Sequence, residues 1–128
     1  MKYLSDYMES KHTELWNSTG TFFAFSNKQF KEQEVEGTEY VFLGSGMYTP
    51  KKHANKVIEQ GYKIYKDSIK QDMKENGKNK IILRELLNHE AFYVGNTEET
   101  ITTLEDYPIT EKEIINIYNK NFSKYANQ

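Results

Sequence analysis

Apolar side chains recur at steps of three and four residues along much of this 128-residue chain, which is the spacing of amphipathic helices. With the residues that suit helix ends, this pattern predicts helices over Lys2–Asn17, Asn27–Glu34, Pro50–Asn76, from Ile81 to a residue within Asn88–Tyr93, over Thr97–Leu104, and from Thr110 to a frayed tail at Ala126–Gln128. Gly20 suits the C-terminal cap of the first helix. Thr49 and Pro50 suit the N-cap and first position of the long one.

The long helix has a predicted buried face formed by apolar residues at these steps, namely Val57, Ile58, Tyr62, Tyr65, Ile69 and Met73. Gly61 falls on the same face. Glycine inside a helix costs up to about 1 kcal/mol relative to alanine. Its presence therefore predicts a neighbouring group that lies close to the helix backbone at this position.

Two shorter stretches have the composition of strands. Thr21–Phe25 is an apolar run without strict alternation, as expected of a strand covered on both faces, and it leads into a capping box formed by Ser26 and Gln29. Glu39–Leu43 is rich in aromatic and β-branched residues. The connection between them, of about a dozen residues, leaves both parallel and antiparallel pairing open. Phe92-Tyr93-Val94 is an alternative third strand.

These elements predict a single domain over residues 1–128 with an α+β fold, in which a small sheet of two or three strands packs against four or five helices. The chain has no cysteine, which excludes disulfides, thiolate catalysis and cysteine metal ligands. No apolar run approaches the roughly 20 residues that span a bilayer. Asp6 and Glu9 lie where a signal peptide would be apolar. We therefore expect an intracellular protein that does not act at a membrane.

Histidines and carboxylates give one candidate site for catalysis. His89-Glu90 begins like a zinc protease motif, but no second histidine follows at the required spacing, so we predict no metal and no cofactor. Glu85 and His89 are four residues apart on one helix, where the carboxylate would favour the charged imidazole. The alternative is that both residues line a solvated helix end. A small hydrolase or transferase would use His89 with Glu85 or Glu90.

The turn Gly44-Ser45-Gly46, followed by Lys51 and Lys52 at the predicted helix start, gives a candidate site for a nucleotide or another small anion. Neither the phosphate-loop spacing nor the dinucleotide-binding spacing is met, and a simple turn is the alternative. Residues 50–80 carry nine lysines against four acids, whereas residues 81–113 carry two basic residues against eight acids. With one arginine in the chain, we do not expect nucleic acid as a partner.

Three segments carry a resemblance to a known group of proteins. They are the F-F-A-F-S-N-K-Q-F segment at residues 22–30, the Gly44-Ser45-Gly46 turn, and the N-H-E triplet at residues 88–90. The sequence resembles a family of small uncharacterised proteins from phages and prophages of Gram-positive bacteria. The resemblance covers Thr21–Tyr93 and implies a phage or mobile-element origin and the cytoplasm of a bacterial host. It also implies that Asn27, Gln29 and the N-H-E triplet are candidate site residues.

The sequence favours a non-enzymatic protein that binds a host or phage protein, with inhibition of that protein as one possible consequence. The reasons are the absence of a complete catalytic motif, the segregation of charge, and ten tyrosines, a residue common at interfaces. The two alternatives are the anion site at Gly44–Lys52 and the enzyme that uses His89. The candidate binding residues are Asn27, Gln29, Ser45, Lys51, Lys52, Asn88, His89, Glu90 and Tyr93.

Overall fold

The computed structural model describes residues 1–126, and in these residues it has the predicted α+β fold, with seven α-helices and a three-stranded antiparallel sheet. The elements are α1 Leu4–Thr19, β1 Phe22–Phe23, α2 Asn27–Gln33, β2 Tyr40–Gly44, β3 Met47–Pro50, a 3-10 turn Lys51–His53, α3 Ala54–Asn76, α4 Lys78–Asn88, α5 Ala91–Val94, α6 Glu98–Thr103 and α7 Glu111–Ala126. The prediction of fraying at Asn127 and Gln128 lies outside the described residues.

The chain divides into two compact units, which we call unit 1 (Met1–Ser68) and unit 2 (Ile69–Gln128). Unit 1 contains the sheet, and unit 2 contains α4 to α7. The prediction that residues 1–128 form one domain stays a prediction.

The sheet has the order β1-β3-β2, and its central strand is the one that the sequence pattern misses. Thr49 and Pro50 lie in β3, so the predicted helix start at these residues is wrong, and α3 begins at Ala54. β3 pairs antiparallel with both neighbours, and β1 and β2 do not pair with each other. The glycine turn before β3 makes this return possible, because all three of its residues have positive φ angles.

Aromatic side chains cover one face of this sheet. The rings of Phe22 and Phe42 lie 5.8 and 5.1 Å from that of Tyr48, and Phe30 of α2 packs 4.8 Å from the same ring. The prediction of a strand buried on both faces is wrong at Phe25, which is exposed. Its ring lies against Gly46, where a side chain would collide with it.

Unit 2 has a core of aliphatic residues that are almost completely buried, namely Ile81, Ile82, Leu86, Leu104 and Ile114. Phe92 of α5 stacks on Tyr118 and Tyr125 of α7, with both ring centroids 5.1 Å away. The alternative of a strand at Phe92-Tyr93-Val94 is wrong, because these residues form a short helix between the left-handed residues Glu90 and Gly95.

The buried face of α3 differs from the predicted one. Val57 and Ile69 are buried as expected, but Ile58 and Tyr62 are exposed. At about 100° per residue, the buried Ile69 lies on the same side of the helix as Ile58 and Tyr62, so this side of α3 is covered at Ile69 and open at the two earlier residues. The ammonium of Lys66 covers the Tyr62 ring at 5.3 Å. The predicted close neighbour of Gly61 is also wrong, since a side chain there would meet no atom within 4 Å.

Gly61→Ala is therefore expected to raise the free energy of unfolding by about 0.5–1 kcal/mol, because alanine restricts the unfolded chain and fits the helix without a clash. Urea denaturation followed by circular dichroism measures this change. Gly77→Ala is the matched control, since that site is equally open but has a φ angle of 77° that disfavours alanine. A loss of stability in Gly61→Ala would contradict the prediction.

Candidate functional site

Asn27 and Gln29 lie in the first turn of α2, where Gln29 has a capping role. The amide of Gln29 donates to the hydroxyl of Ser26 at 3.2 Å. The side-chain oxygen of Gln29 accepts from the amide of Phe25 at 2.7 Å, one residue earlier than in the predicted capping box. Asn27 is exposed at the helix start. The observed contacts of Gln29 thus stabilise the junction between β1 and α2.

The structure does not bring together the three residues of the predicted anion site. Ser45 lies in the β2–β3 turn, whereas Lys51 and Lys52 follow the other end of β3. At about 3.4 Å per residue, this four-residue strand separates the two ends by roughly 13 Å. The Lys51 ammonium lies 3.8 Å from the Glu39 carboxylate. Lys51 and Lys52 therefore belong to the region around the start of β2, away from the glycine turn.

The other predicted site residues lie where α4 meets α5. α4 ends at Asn88, His89 is its C-terminal cap, and Glu90 reverses the chain with a φ angle of 54°. α5 then buries Phe92 in the core and leaves Tyr93 and Val94 outside, with exposed fractions of 91% and 54%. The junction thus presents an aromatic and an aliphatic side chain to solvent on a short segment held at both ends.

His89 makes three side-chain contacts within unit 2. Its Nε2 lies 2.9 Å from the hydroxyl of Thr103 and 3.8 Å from the carboxylate of Glu85. Its Nδ1 lies 3.3 Å from the carboxylate of Glu99. The predicted pairing of Glu85 with His89 is present, and Glu99 and Thr103 of α6 join it. These contacts hold the first turn of α6 beside the α4–α5 junction.

A hydroxyl, an imidazole and a carboxylate in this order resemble the arrangement used to activate a nucleophile. In such sites the carboxylate is held firmly and orients the imidazole. Here the Glu99 side chain is 78% exposed, so its pairing with His89 has the weakness of a surface ion pair. The buried carboxylate of Glu85 lies instead on the Nε2 side of the imidazole, at 3.8 Å.

A buried polar network forms beneath this surface in unit 2. Arg84 donates two parallel hydrogen bonds of 2.9 Å to the two carboxylate oxygens of Asp72, and its Nε donates to Glu85 at 2.5 Å. The hydroxyl of Tyr107 donates to Asp72 at 2.5 Å, and the side-chain amide of Asn76 donates at 2.8 Å. The network thereby joins the end of α3, α4 and the segment after α6.

Two pKa values reflect this network. Burial alone would raise the pKa of Asp72, but hydrogen bonds from Arg84, Tyr107 and Asn76 outweigh it and hold this pKa below its usual value. Burial, with the hydrogen bond to the Asp72 carboxylate, raises the pKa of Tyr107 well above its usual value. Asp72 therefore stays ionised and Tyr107 stays protonated at neutral pH, as their hydrogen bond requires.

Charge is distributed very unevenly along unit 2. Residues 85–111 contain no lysine or arginine. Six carboxylates of this stretch are exposed, namely Glu90, Glu98, Glu99, Glu105, Asp106 and Glu111. Because His89 contacts Glu99, the first turn of α6 lies next to the α4–α5 junction. We call Glu90, Glu98, Glu99, Tyr93 and Val94 the acidic patch.

The described residues contain neither a metal-binding group nor a membrane-spanning helix. Among residues 1–126, no group of three histidine, aspartate or glutamate residues has the geometry to hold a metal ion. Within the same part of the chain, the helices lack the combination of length and apolar character that crossing a membrane requires.

The fold and the site define a small α+β protein with an acidic patch that includes an exposed tyrosine. The chain belongs to a family of unknown function (DUF7659), whose family model matches residues 4–124. A search of curated proteins finds no match, and a search of solved structures finds none either.

Proposed function

We propose that this protein is a non-enzymatic binding protein, and that its acidic patch engages a basic surface of a host or phage protein. Tyr93 carries the proposal, because it is 91% exposed although α5 is anchored in the core by Phe92. An exposed aromatic ring on a fixed backbone gives contact area at low cost in conformational entropy. Tyrosine is also among the residues that most often dominate binding energy at interfaces.

The charge of the acidic patch supports a partner of opposite sign. Tyr93 lies within a stretch of 27 residues that has six exposed carboxylates and no lysine or arginine. An excess of negative charge accelerates the encounter with a basic partner and disfavours acidic ones. The binding should weaken as salt rises, because exposed charges are screened over about 10 Å at 0.1 M salt.

The biological setting is part of the same proposal. The resemblance of the F-F-A-F-S-N-K-Q-F segment to proteins of phages and prophages supports a mobile-element origin. The protein would then act in the cytoplasm of a bacterial host, where occupation of a basic surface on a host or phage protein would inhibit that protein. A hydrolase or transferase that uses His89 with Glu85 or Glu90 is supported less well, because Glu85 lies on the same side of the imidazole as Thr103, at 3.8 Å from Nε2, and the carboxylate at Nδ1 is the largely exposed Glu99.

The test compares two exposed tyrosines. Partners are captured from bacterial lysate on the immobilised protein, and the retained protein is purified and titrated by calorimetry. Tyr93→Ala is expected to weaken the affinity at least tenfold, whereas Tyr62→Ala, which removes an exposed tyrosine on lysine-rich α3, should leave it within twofold. The affinity of the wild-type protein for this partner should decrease as the salt concentration is raised from 50 to 200 mM. The proposal fails if no partner is retained, or if Tyr93→Ala and Tyr62→Ala bind it equally well.

A further inference from the structure

We propose that unit 1 contains a second, independent binding site, a groove for a small anion that carries a flat ring, such as a nucleoside monophosphate. The groove has a volume of about 560 Å³. It lies between the end of α1, the start of β1, the segment that joins α2 to β2, and the residues that follow β3. Small-molecule sites in proteins commonly have volumes of about 300–1,000 Å³.

Aromatic residues are part of the lining of the groove. Trp16, Phe22 and Tyr40 line it together with Val35 and Pro50. Neighbouring rings hold Trp16 in place, because His12 stacks on it at 5.0 Å and Phe23 meets it edge-on at 4.9 Å. A fixed indole on the wall of a groove is suited to stacking against a planar ring.

The floor of the groove includes the buried residues Thr19 and Thr21, whose hydroxyl groups form a continuous chain with that of Thr49, a residue outside the lining. The hydroxyls of Thr19 and Thr21 are 2.7 Å apart, those of Thr21 and Thr49 are 2.9 Å apart, and Thr19 donates to the carbonyl of Leu15 at 2.8 Å. Each hydroxyl has one hydrogen to donate, so donation runs from Thr49 through Thr21 to Thr19. This chain fixes the floor that joins α1 to the sheet.

One residue of the groove lining carries a formal charge. This residue is Lys52, and the lining contains no aspartate or glutamate. The neighbouring Lys51 is paired with Glu39, whereas no ion pair between Lys52 and a carboxylate is present within residues 1–126. A second depression of about 470 Å³ shares Lys52, Thr38 and Pro50 with the groove and also includes Glu39 and Lys51. The lining of the groove thus combines a lysine with an indole ring, which suits an anion that carries a flat ring.

Trp16 allows a direct test, because it is the single tryptophan of the chain and lines the groove. The four common nucleoside 5′-monophosphates, adenosine and inorganic phosphate are titrated against the full-length protein, and the tryptophan fluorescence is recorded. At least one monophosphate is expected to quench this fluorescence saturably and to raise the melting temperature. Adenosine and inorganic phosphate should each bind at least fivefold more weakly than that monophosphate, since each lacks one of the two recognised groups.

Matched lysine variants separate the groove from general attraction to positive charge. Lys52→Ala is expected to weaken monophosphate binding at least fivefold, and Lys28→Ala, an exposed lysine of α2 outside the groove, should leave it unchanged. Absence of quenching by all four monophosphates, or equal losses in the two variants, would overturn the proposal. Tyr93→Ala should bind the monophosphate with wild-type affinity. The proposals for the groove and for the acidic patch are therefore tested independently.

Discussion

Arg84→Ala is expected to lower the free energy of unfolding by about 3–5 kcal/mol, because it leaves two carboxylates buried without their cation. The Arg84 side chain is buried, and it pairs with Asp72 through two hydrogen bonds and with Glu85 through a third. Arg84→Lys should give a smaller loss, since lysine keeps the charge but cannot form two parallel bonds with one carboxylate. Urea denaturation followed by circular dichroism measures both changes.

The control for this prediction is the exposed ion pair of unit 2. Lys78 lies 3.2 Å from Glu113, and both side chains are partly open to solvent. Lys78→Ala is therefore expected to cost less than about 1 kcal/mol. Arg84→Ala would contradict the prediction if it were no more damaging than Lys78→Ala.

The same network determines the response of the protein to acid. The pKa of Asp72 is lower in the folded protein than in the unfolded chain, so its contribution to stability is complete above its ordinary pKa. That contribution is lost as the pH falls through the lowered folded value. The protein should therefore lose this part of its free energy of unfolding only in strongly acidic solution. At neutral pH the network is intact.

Leu86→Ala is expected to lower the free energy of unfolding by about 2–5 kcal/mol, because it opens a cavity in the core of unit 2. Leu86 has no exposed surface. Leu87→Ala is the control, since the next residue of the same helix is 43% exposed and its truncation should cost about 0.5 kcal/mol or less. The same denaturation measurement applies. Equal losses in the two variants would show that α4 buries a different face.

The sequence predicted correctly those helix ends that are determined by contacts between residues close together in the chain. Gly20 is the left-handed C-terminal cap of α1, and at the predicted start of the last helix Thr110 and Glu113 form a capping box, with bonds of 3.1 and 2.9 Å. At Thr49 and Pro50 the local signal failed. A good N-cap is worth about 1 kcal/mol, whereas pairing of Thr49 and Pro50 with β2 and complete burial of Thr49 reward an extended backbone there.

The candidate site shows the same limit. The spacing of Glu85 and His89 predicted their contact, since both belong to one helix surface. The pairing of Asp72 with Arg84 could not be predicted in this way, because it depends on the angle between α3 and α4 across the turn at Gly77. The sequence nevertheless contained a signal that Arg84 has a buried partner. Arg84 is the one arginine of the chain, and it lies within the apolar segment of α4 that begins with Ile81 and Ile82.

The order of strands in the sheet has a consequence for assembly of the fold. β2 and β3 are adjacent in sequence and close through a short turn, whereas β1 reaches β3 only after a loop of about two dozen residues is closed. The hairpin is thus the part that can form early, and β1 arrives later. Until it does, the main-chain groups along the outer edge of β3 are open to a strand from another molecule. Docking of the first 23 residues, which include β1, is then also the step that protects the newly formed β2–β3 hairpin from aggregation.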